Sequence, residues 1–190
     1  MGKLVVICNL TLDGVMQAPG HQEEDPRDGF THGGWAVPYS DDAMGRTMGE
    51  GMGGGAAMLF GRRTYERFAD YWPRQEGNPF TEVLNRMQKF VASRTLTGPL
   101  PWANSTLLEG DAPAAVADLK QNHDLVLLGS GELVTSLLPH GLIDEFKLLI
   151  HPLVIGEGRH LFPDGGPEVS LRLIDAEATS TGVVLATYRP

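Results

Sequence analysis

Three short polar turns, each placed directly after a run of apolar residues, constrain this chain more than any other feature. The apolar runs are 56–60, 90–92 and 125–128, and the turns that follow them are Gly61-Arg62-Arg63-Thr64, Ser93-Arg94-Thr95 and Gly129-Ser130-Gly131-Glu132. Open α/β sheets bind phosphate at such places, because a helix start after a strand offers free backbone N–H groups and a positive dipole end. Arg62, Arg63 and Arg94 could each bind further phosphate oxygens through two N–H groups. The three turns therefore predict a ligand with more than one phosphate group, such as a dinucleotide.

The order of apolar and amphipathic segments predicts the fold class. Continuous apolar runs are typical of strands buried on both faces, and we predict such strands and intervening helices along most of the chain. The predicted strands are 3–10, 56–60, 89–92, 105–109 and 125–128, and the predicted helices are 41–52, 63–71, 113–121 and 132–138. Three strand-like segments, at 145–150, 169–176 and 182–188, follow without helices between them. This pattern predicts a single α/β domain over residues 1–190, with a mostly parallel central sheet, antiparallel carboxyl-terminal edge strands and helices on both faces.

Several boundaries carry local signals. Ser40 is a predicted N-cap for the helix at 41–52, and either Asn78 or Thr81 is predicted to cap a helix that ends at Met87. The glycines at 53–55 are predicted to turn the chain before the second strand. Residues 17–34 hold many polar and turn residues and are predicted to form a long loop. Long loops in compact domains are often functional, so this one is a candidate lid over a ligand.

Composition narrows the class of partner. The formal net charge is −9 and the isoelectric point is near 5.0. Surfaces that bind nucleic acid or anionic membranes are normally basic, so we expect neither partner. No apolar run approaches the roughly 20 residues that cross a bilayer, and no signal-peptide pattern is visible. The single cysteine, Cys8, excludes an internal disulfide and is typical of a reducing compartment, so we expect a cytoplasmic protein.

Familiar short motifs for other chemistries are missing. The glycines near residue 130 do not complete a G-x-G-x-x-G fingerprint, because residue 134 is Val134. The glycine-rich stretch 49–55 lacks the Lys-Ser/Thr ending of a P-loop. The six histidines include no pair four residues apart, and we therefore predict no metal site.

Candidate substrate-side residues are fewer and each has an ordinary structural explanation. Asp13 follows the first strand, and Asp41 and Asp42 open the next helix. A carboxylate in a pocket could bind or protonate an amino-heterocycle, but a turn beside Gly14 or a favourable position at a helix start explains the same residues. Trp35 and Tyr65 could form walls for a flat ring, although such aromatics are more often part of a core.

Taken in chain order, these motifs resemble the dihydrofolate reductase-like superfamily. The matching segments are Thr11-Leu12-Asp13-Gly14, 59–66, 91–95 and 129–132. Later segments, at 141–145, 152–158 and 161–162, are similar to the reductase domain of riboflavin biosynthesis, the RibD C-terminal family, in its stand-alone form. The resemblance covers nearly the whole chain and implies a dihydrofolate reductase-like three-layer sandwich.

The resemblance also implies a cofactor, NADPH, and assigns residues to it. Gly61, Arg62 and Thr64 would lie against the pyrophosphate, and Ser93, Arg94 and Thr95 would surround the adenosine 2′-phosphate. Gly129, Ser130, Gly131, Glu132 and Leu133 would form a second phosphate-binding turn. The substrate would lie near Asp13, Trp35, Asp41 and Tyr65, with Asp42 and Asp13 as the candidate catalytic carboxylates. The resemblance further implies a homodimer that forms through the carboxyl-terminal strands.

The substrate class stays open at this point. Enzymes that reduce the phosphoribosyl-aminouracil place Asp-Asp-Pro after the second strand, whereas this chain has Gly61-Arg62-Arg63-Thr64-Tyr65-Glu66, closer to the dihydrofolate reductase pattern. The expected function is therefore an NADPH-dependent reductase of a small heterocycle, similar either to 5-amino-6-(5-phosphoribosylamino)uracil reductase or to dihydrofolate reductase. The alternative is a protein that binds NADPH or another nucleotide without turnover, as a sensor or binding module.

Overall fold

A computed structural model describes residues 1–52 and 54–190, which are built around one eight-stranded sheet. The strands are β1 (Leu4–Thr11), β2 (Ala57–Gly61), β3 (Lys89–Ala92), β4 (Ser105–Leu108), β5 (Leu125–Leu128), β6 (Glu145–His151), β7 (Arg172–Ala178) and β8 (Val184–Arg189). Their order is β4-β3-β2-β5-β1-β6-β8-β7. The first six are parallel to one another, and β8 pairs antiparallel with both β6 and β7. The predicted mostly parallel sheet with an antiparallel carboxyl-terminal edge is confirmed.

Five helices cover the two faces of the sheet. They are α1 (Asp42–Met52), α2 (Arg62–Tyr71), α3 (Pro79–Arg86), α4 (Ala112–Leu119) and α5 (Gly131–Leu137). Alternate residues of β1 point to opposite faces. Val6 and Cys8 pack in one core cluster with residues of α4 and α5, while Ile7 packs in a second cluster with residues of α1, α2 and α3. The helices therefore form two layers with the sheet between them.

Some predicted boundaries need correction. Ser40 does not cap α1, because its hydroxyl donates to Val37 O, and the Asp41 carboxylate accepts from Ala43 N–H instead at 2.7 Å. Asn78 caps α3 by accepting from Phe80 N–H at 3.0 Å. β7 begins three residues later than predicted, since 169–171 lie outside the ladder with β8. In the predicted glycine turn, Gly53 lies outside the described residues, while Gly54 and Gly55 have φ of 71° and 82°.

The long loop at 17–34 is packed and has its own small core. Val15, Ala18, Phe30, Trp35 and Ala36 form a buried cluster beneath it. The Gln17 side-chain amide donates to Asp25 O at 3.0 Å and to Arg27 O at 3.1 Å, which ties the start of the loop to its middle. Within the described ranges, no helix is long and apolar enough to cross a membrane.

Candidate functional site

A cavity of about 810 Å³ opens at the carboxyl ends of the parallel strands. Its walls include residues from the middle of β1, from the ends of β2 to β5 and from the turns that follow these strands, together with parts of α1, α2 and the 17–34 loop. Ligands of open α/β sheets bind at this edge, where neighbouring connections run to opposite faces of the sheet. Here the chain leaves β1 and β2 toward one face and β5 toward the other, so a crevice forms between them.

Ser130 joins the turns after β2 and β5. Its hydroxyl accepts from Gly61 N–H at 3.0 Å and donates to Thr64 Oγ1 at 2.8 Å. Gly61 packs against it so closely that an added Cβ would lie 3.4 Å from Ser130 Oγ. Gly129 and Ser130 both have left-handed backbone conformations, with φ of 61° and 59°. Two of the three predicted turns are thus one hydrogen-bonded unit, and Gly61, Thr64, Gly129, Ser130, Gly131, Glu132 and Leu133 all line the cavity.

The third turn follows β3 and lines the same cavity. Ser93 Oγ accepts from Thr95 N–H at 3.1 Å and from Leu96 N–H at 2.9 Å, so its hydroxyl fixes the shape of the loop. Arg94 and Thr95 are exposed at the cavity wall. No ion pair involves Arg94 in the described part of the chain, which leaves its guanidinium accessible to an anionic ligand.

Arg62 and Arg63 already face carboxylates. Arg62 pairs with Glu66 at 3.0 Å along one face of α2. Arg63 pairs with Glu132, and Arg159 also approaches Glu132 at 3.7 Å. A phosphate at this position would compete with Glu66 and Glu132 for these guanidinium groups.

Two buried N–H groups on the cavity wall favour an anionic ligand. Arg27 Nη1 and Arg159 Nε are buried and have no hydrogen-bond partner among the described residues. A buried donor without an acceptor costs roughly 1–3 kcal/mol, and the oxygens of a phosphate group could supply that acceptor. Neither arginine was predicted, because each comes from a loop far from the three strand-end turns in sequence.

Asn9 on β1 also lines the cavity, and its side chain is hydrogen-bonded to His151 on β6. His151 is fully buried, and its Nε2 lies 3.0 Å from Asn9 Oδ1. Burial lowers the pKa of His151 to about 4, so the ring is neutral near pH 7. A neutral histidine ring that is paired with an amide oxygen donates its Nε2–H to that oxygen. The Asn9 oxygen is therefore engaged, and the Asn9 amide nitrogen is the group that remains to bind a ligand in the cavity.

Asp25 and Glu24 are neighbours in the chain that both line the cavity, but they differ in their partners. Asp25 is bound by Arg27 at 2.6 and 2.7 Å and by Arg67 at 2.6 Å. Although burial opposes this, the two guanidinium groups hold the pKa of Asp25 far below its usual range. Glu24 accepts only the Gly20 N–H, at 2.5 Å, among the described hydrogen bonds. Burial raises the pKa of its carboxyl.

The predicted carboxylates have structural roles away from the described cavity lining. Asp13 accepts from Thr11 Oγ1 at 2.5 Å and from Gly156 N–H at 2.7 Å, joining the turn after β1 to the loop after β6. The Thr11 hydroxyl and these N–H groups lower the pKa of Asp13. Asp41 caps α1 and binds Ser180 in the β7–β8 turn. Asp42 is exposed in the first turn of α1.

The two predicted aromatic walls also belong to the core. Trp35 lies under the 17–34 loop and donates from Nε1 to Gln17 O at 2.6 Å. Tyr65 is 1% exposed, and its hydroxyl accepts from Trp102 N–H at 3.1 Å. Neither residue is among those that line the cavity. Apolar side chains that do line the cavity include Met48 of α1 and Phe68 of α2.

Some cavity residues had a sequence signal that was not used. The turn Gly110-Asp111 follows β4 and precedes α4, repeating the strand–turn–helix pattern of the other turns, and it lines the cavity beside Arg94. Asn9, Glu24, Met48 and Arg67 had no comparable signal. Across the described residues, no group of three or more His, Cys, Asp or Glu side chains could hold a metal ion.

A mostly parallel sheet with glycine- and hydroxyl-containing turns at its strand ends defines the class of open-sheet α/β proteins. Within that class the family is shown directly, because residues 3–185 match the RibD C-terminal domain. The chain belongs to this family. It is also 34% identical, over 141 residues, to the uncharacterized protein YyaP of Bacillus subtilis (strain 168), a match that covers 69% of this chain and 72% of YyaP.

Solved structures share the fold. A putative riboflavin biosynthesis protein from Shewanella sp. PV-4 superposes with a TM-score of 0.70 at 20% identity, covering 98% of both chains. A pyrimidine reductase-like protein from Corynebacterium diphtheriae gives 0.66 at 12% identity, covering 99% of this chain and 91% of the other. A bifunctional deaminase and 5-amino-6-(5-phosphoribosylamino)uracil reductase from Thermotoga maritima gives 0.62 at 14% identity, covering 100% of this chain but 56% of the other. The predicted dihydrofolate reductase-like sandwich is thereby confirmed.

Proposed function

We propose that this protein is an NADPH-dependent reductase of a small heterocyclic substrate. Membership of the RibD C-terminal family supports a reductase. The observation that carries the cofactor assignment is the row of turns along one sheet edge, which runs from Arg94 after β3 through the joined Gly61–Ser130 unit to Asn9 on β1. Since neighbouring strands lie about 4.8 Å apart, this row is about 14 Å long and suits an extended dinucleotide.

The order of the strands suggests the direction of the bound cofactor. Arg94 and Thr95, with Ser93 shaping their loop, would hold the adenosine 2′-phosphate, and Gly110 would lie beside the adenosine. Gly61, Arg62, Thr64 and the turn from Gly129 to Leu133 would hold the pyrophosphate. The unpartnered N–H groups of Arg27 and Arg159 would donate to its oxygens. The nicotinamide end would then lie at Asn9 and Met16, where the sheet edge reaches β1.

In this reaction the protein itself would position the cofactor and the substrate and exclude water from them. When bound, NADPH supplies the hydride. Met48 and Phe68 would hold a flat ring against the end of β1, while the Asn9 amide would orient it by donating a hydrogen bond. The 17–34 loop, fixed by its own core, would exclude water from that side of the cavity.

A homodimer formed through the carboxyl-terminal strands is part of this proposal. All seven residues of β7 are exposed, including Leu173 at 52% and Ile174 at 38%. An exposed edge strand with apolar side chains is open to pairing with another chain. Light scattering on the eluted protein would report a dimer mass, and Leu173→Lys would shift it toward the monomer.

The function is tested by titrating the protein with NADPH while following nicotinamide fluorescence, and then by assaying oxidation of the bound cofactor. A reductase binds NADPH and oxidises it when dihydrofolate, 7,8-dihydropterin or the phosphoribosyl-aminouracil is supplied. Tight binding without oxidation by any of these would favour the alternative of a nucleotide-binding protein without turnover. No binding at millimolar NADPH would exclude both.

A further inference from the structure

Two carboxyl groups on the cavity wall, Glu24 and Asp164, lack the cation or helix start that holds the others in the described ranges. Asp25 is bound by two arginines, Glu132 pairs with Arg63, and Asp111 caps α4. Asp164 is exposed at the outer rim. Glu24 is partly buried and has no ion pair within the described ranges; its Oε2 accepts from Gly20 N–H, and the His21 N–H also acts on the carboxyl.

The surroundings of Glu24 favour its neutral form. Burial raises the pKa of the carboxyl, against smaller opposing effects from Gly20 N–H, His21 and Arg67. His21 is stacked on Tyr71 of α2 at 4.9 Å, and Arg67 of α2 is already bound to Asp25. The groups that face Glu24 from its own loop and from α2 are therefore engaged with other partners.

Glu24 lines the same cavity as the groups proposed to contact the substrate. Asn9 lies on the same face of β1 as Ile7, which packs with residues of α1. Met48 of α1 and Phe68 of α2 line the cavity on that side, together with Ala18 and Pro19 of the loop that carries Glu24. A ring held between these apolar side chains would have the Asn9 amide and the Glu24 carboxyl as its polar neighbours.

We propose that Glu24 is the catalytic acid of this enzyme and that the substrate is an uncharged, unsaturated ring whose C=N bond it protonates. This inference rests on the proposed function. It also assigns the acid role to a residue of the 17–34 loop, whereas Asp13 and Asp42 lie outside the described lining of the cavity.

The step balances with one hydride and one proton. The carbon of the C=N bond gains a hydride from a reduced nicotinamide, and the π electron pair moves to the nitrogen. The nitrogen then takes the proton of the Glu24 carboxyl, which forms an N–H bond and leaves a carboxylate. Oxidised nicotinamide and the reduced ring are the products, and water restores the proton to Glu24.

The walls explain why the ring should be uncharged. Arg67 and Arg27 are both bound to Asp25, and the remaining Nη1 of Arg27 is assigned to the pyrophosphate, so neither arginine offers much attraction to a phosphate or carboxylate on the substrate. Met48 and Phe68 favour a flat apolar surface. The Asn9 amide nitrogen selects a hydrogen-bond acceptor on the ring, because a buried donor left without a partner costs binding energy.

The first test measures the protonation of Glu24 without turnover. NMR titration of protein labelled with ¹³C at the glutamate carboxyls, with and without NADPH, would follow one resonance that disappears in Glu24→Gln. We expect this resonance to titrate at higher pH than the ordinary glutamate value of 4.5. The matched control Glu23→Gln removes a resonance from the exposed neighbouring residue and leaves the Glu24 signal in place. Titration of Glu24 at or below the ordinary value would overturn the proposal.

The second test uses 7,8-dihydropterin, a neutral ring with a C=N bond, as the probe substrate. Removing a general acid typically slows the reaction about 100-fold or more, so Glu24→Gln should lower kcat to that extent while its NADPH affinity stays within twofold. In the wild type, kcat/KM should fall as pH rises through the midpoint seen by NMR. Glu24→Asp, which keeps an acid on a shorter side chain, should recover part of the rate.

Two outcomes separate this inference from the proposed function. If Glu24→Gln binds NADPH and reduces the probe at a rate within threefold of the wild type, the acid assignment is wrong and the reductase stands. If the wild type does not bind NADPH at all, the proposed function fails, and the acid assignment fails with it. A melting temperature of Glu24→Gln close to that of the wild type would show that a lost rate is not lost folding.

Discussion

The two walls of the cavity are built in different ways. The proposed cofactor wall, at the ends of β2, β3 and β5, consists of three turns, and each turn is a short run of neighbouring residues. The proposed substrate wall combines single residues from four separate elements: Asn9 of β1, Glu24 of a long loop, Met48 of α1 and Phe68 of α2. On the proposed function, the cofactor is bound by backbone turns, whereas the substrate contacts side chains from separate elements, which can change one at a time. We infer that substrate specificity in this fold is set on the second wall.

The largest expected effect is a loss of folding stability in acid, which comes from His151, the hydrogen-bond partner of Asn9. The pKa of His151 is about 4 in the fold and near 6.5 for an unperturbed histidine, so the unfolded chain binds a proton that the folded chain does not. Stability should therefore fall as pH drops from 6.5 toward 4. Since each pKa unit corresponds to 1.36 kcal/mol, the loss by pH 4.5 should be about 2–3 kcal/mol. Urea unfolding at both pH values measures it.

Two histidine variants isolate that effect. His151→Gln retains an N–H donor for Asn9 Oδ1 but cannot be protonated, so the extra loss of stability in acid should disappear. His140→Gln changes an exposed histidine and should keep the wild-type pH dependence. Equal pH dependence in His151→Gln and in the wild type would show that the buried ring is not the source.

The next effect concerns the cofactor wall. Ser130→Ala removes the acceptor of Gly61 N–H and the donor to Thr64, which should cost about 1–2 kcal/mol of stability and weaken NADPH roughly tenfold. Ser40→Ala, which loses one exposed hydroxyl bond to Val37 O, is the matched control. Thermal unfolding and fluorescence titration measure the two quantities. Unchanged NADPH affinity in Ser130→Ala would mean that the joined turns do not hold the cofactor.

The smallest effect is expected from a substitution at a residue that lies outside both walls of the cavity. Asp42→Asn alters an exposed carboxylate in the first turn of α1, outside the described lining of the cavity. NADPH affinity and kcat should both stay within twofold of the wild type. A large loss of kcat would support the prediction that Asp42 is catalytic. It would also mean that α1 lies closer to the bound substrate than the proposed site places it.

The difference between the walls also explains what the sequence could predict. The parallel sheet followed from continuous apolar runs such as 125–128, and the three turns followed from local glycine and hydroxyl residues. Ser130 could be named as a turn residue, although its bond to Gly61, 69 positions away, depends on β2 and β5 being neighbours in the sheet.

The substrate wall could not be predicted in this way. Asn9 looked like an ordinary polar residue in a buried strand, and its partner His151 lies 142 positions away. Glu24 stood in a loop with many polar residues, and its lack of a cation is visible only after Asp25 is seen to bind Arg27 and Arg67. Asp13 and Asp41 lie at element ends, where they accept hydrogen bonds from nearby N–H groups.

The most direct test of the account is calorimetric titration of the wild type and Arg94→Ala with NADPH and with NADH. Hydrogen bonds to charged groups contribute about 1.5–3 kcal/mol, so Arg94→Ala should weaken NADPH roughly 10- to 100-fold and change NADH affinity less than threefold. Arg74→Ala, an exposed arginine paired with Asp70, should change neither. If Arg94→Ala weakens both cofactors equally, or neither, the assignment of the 2′-phosphate to the turn after β3 is contradicted.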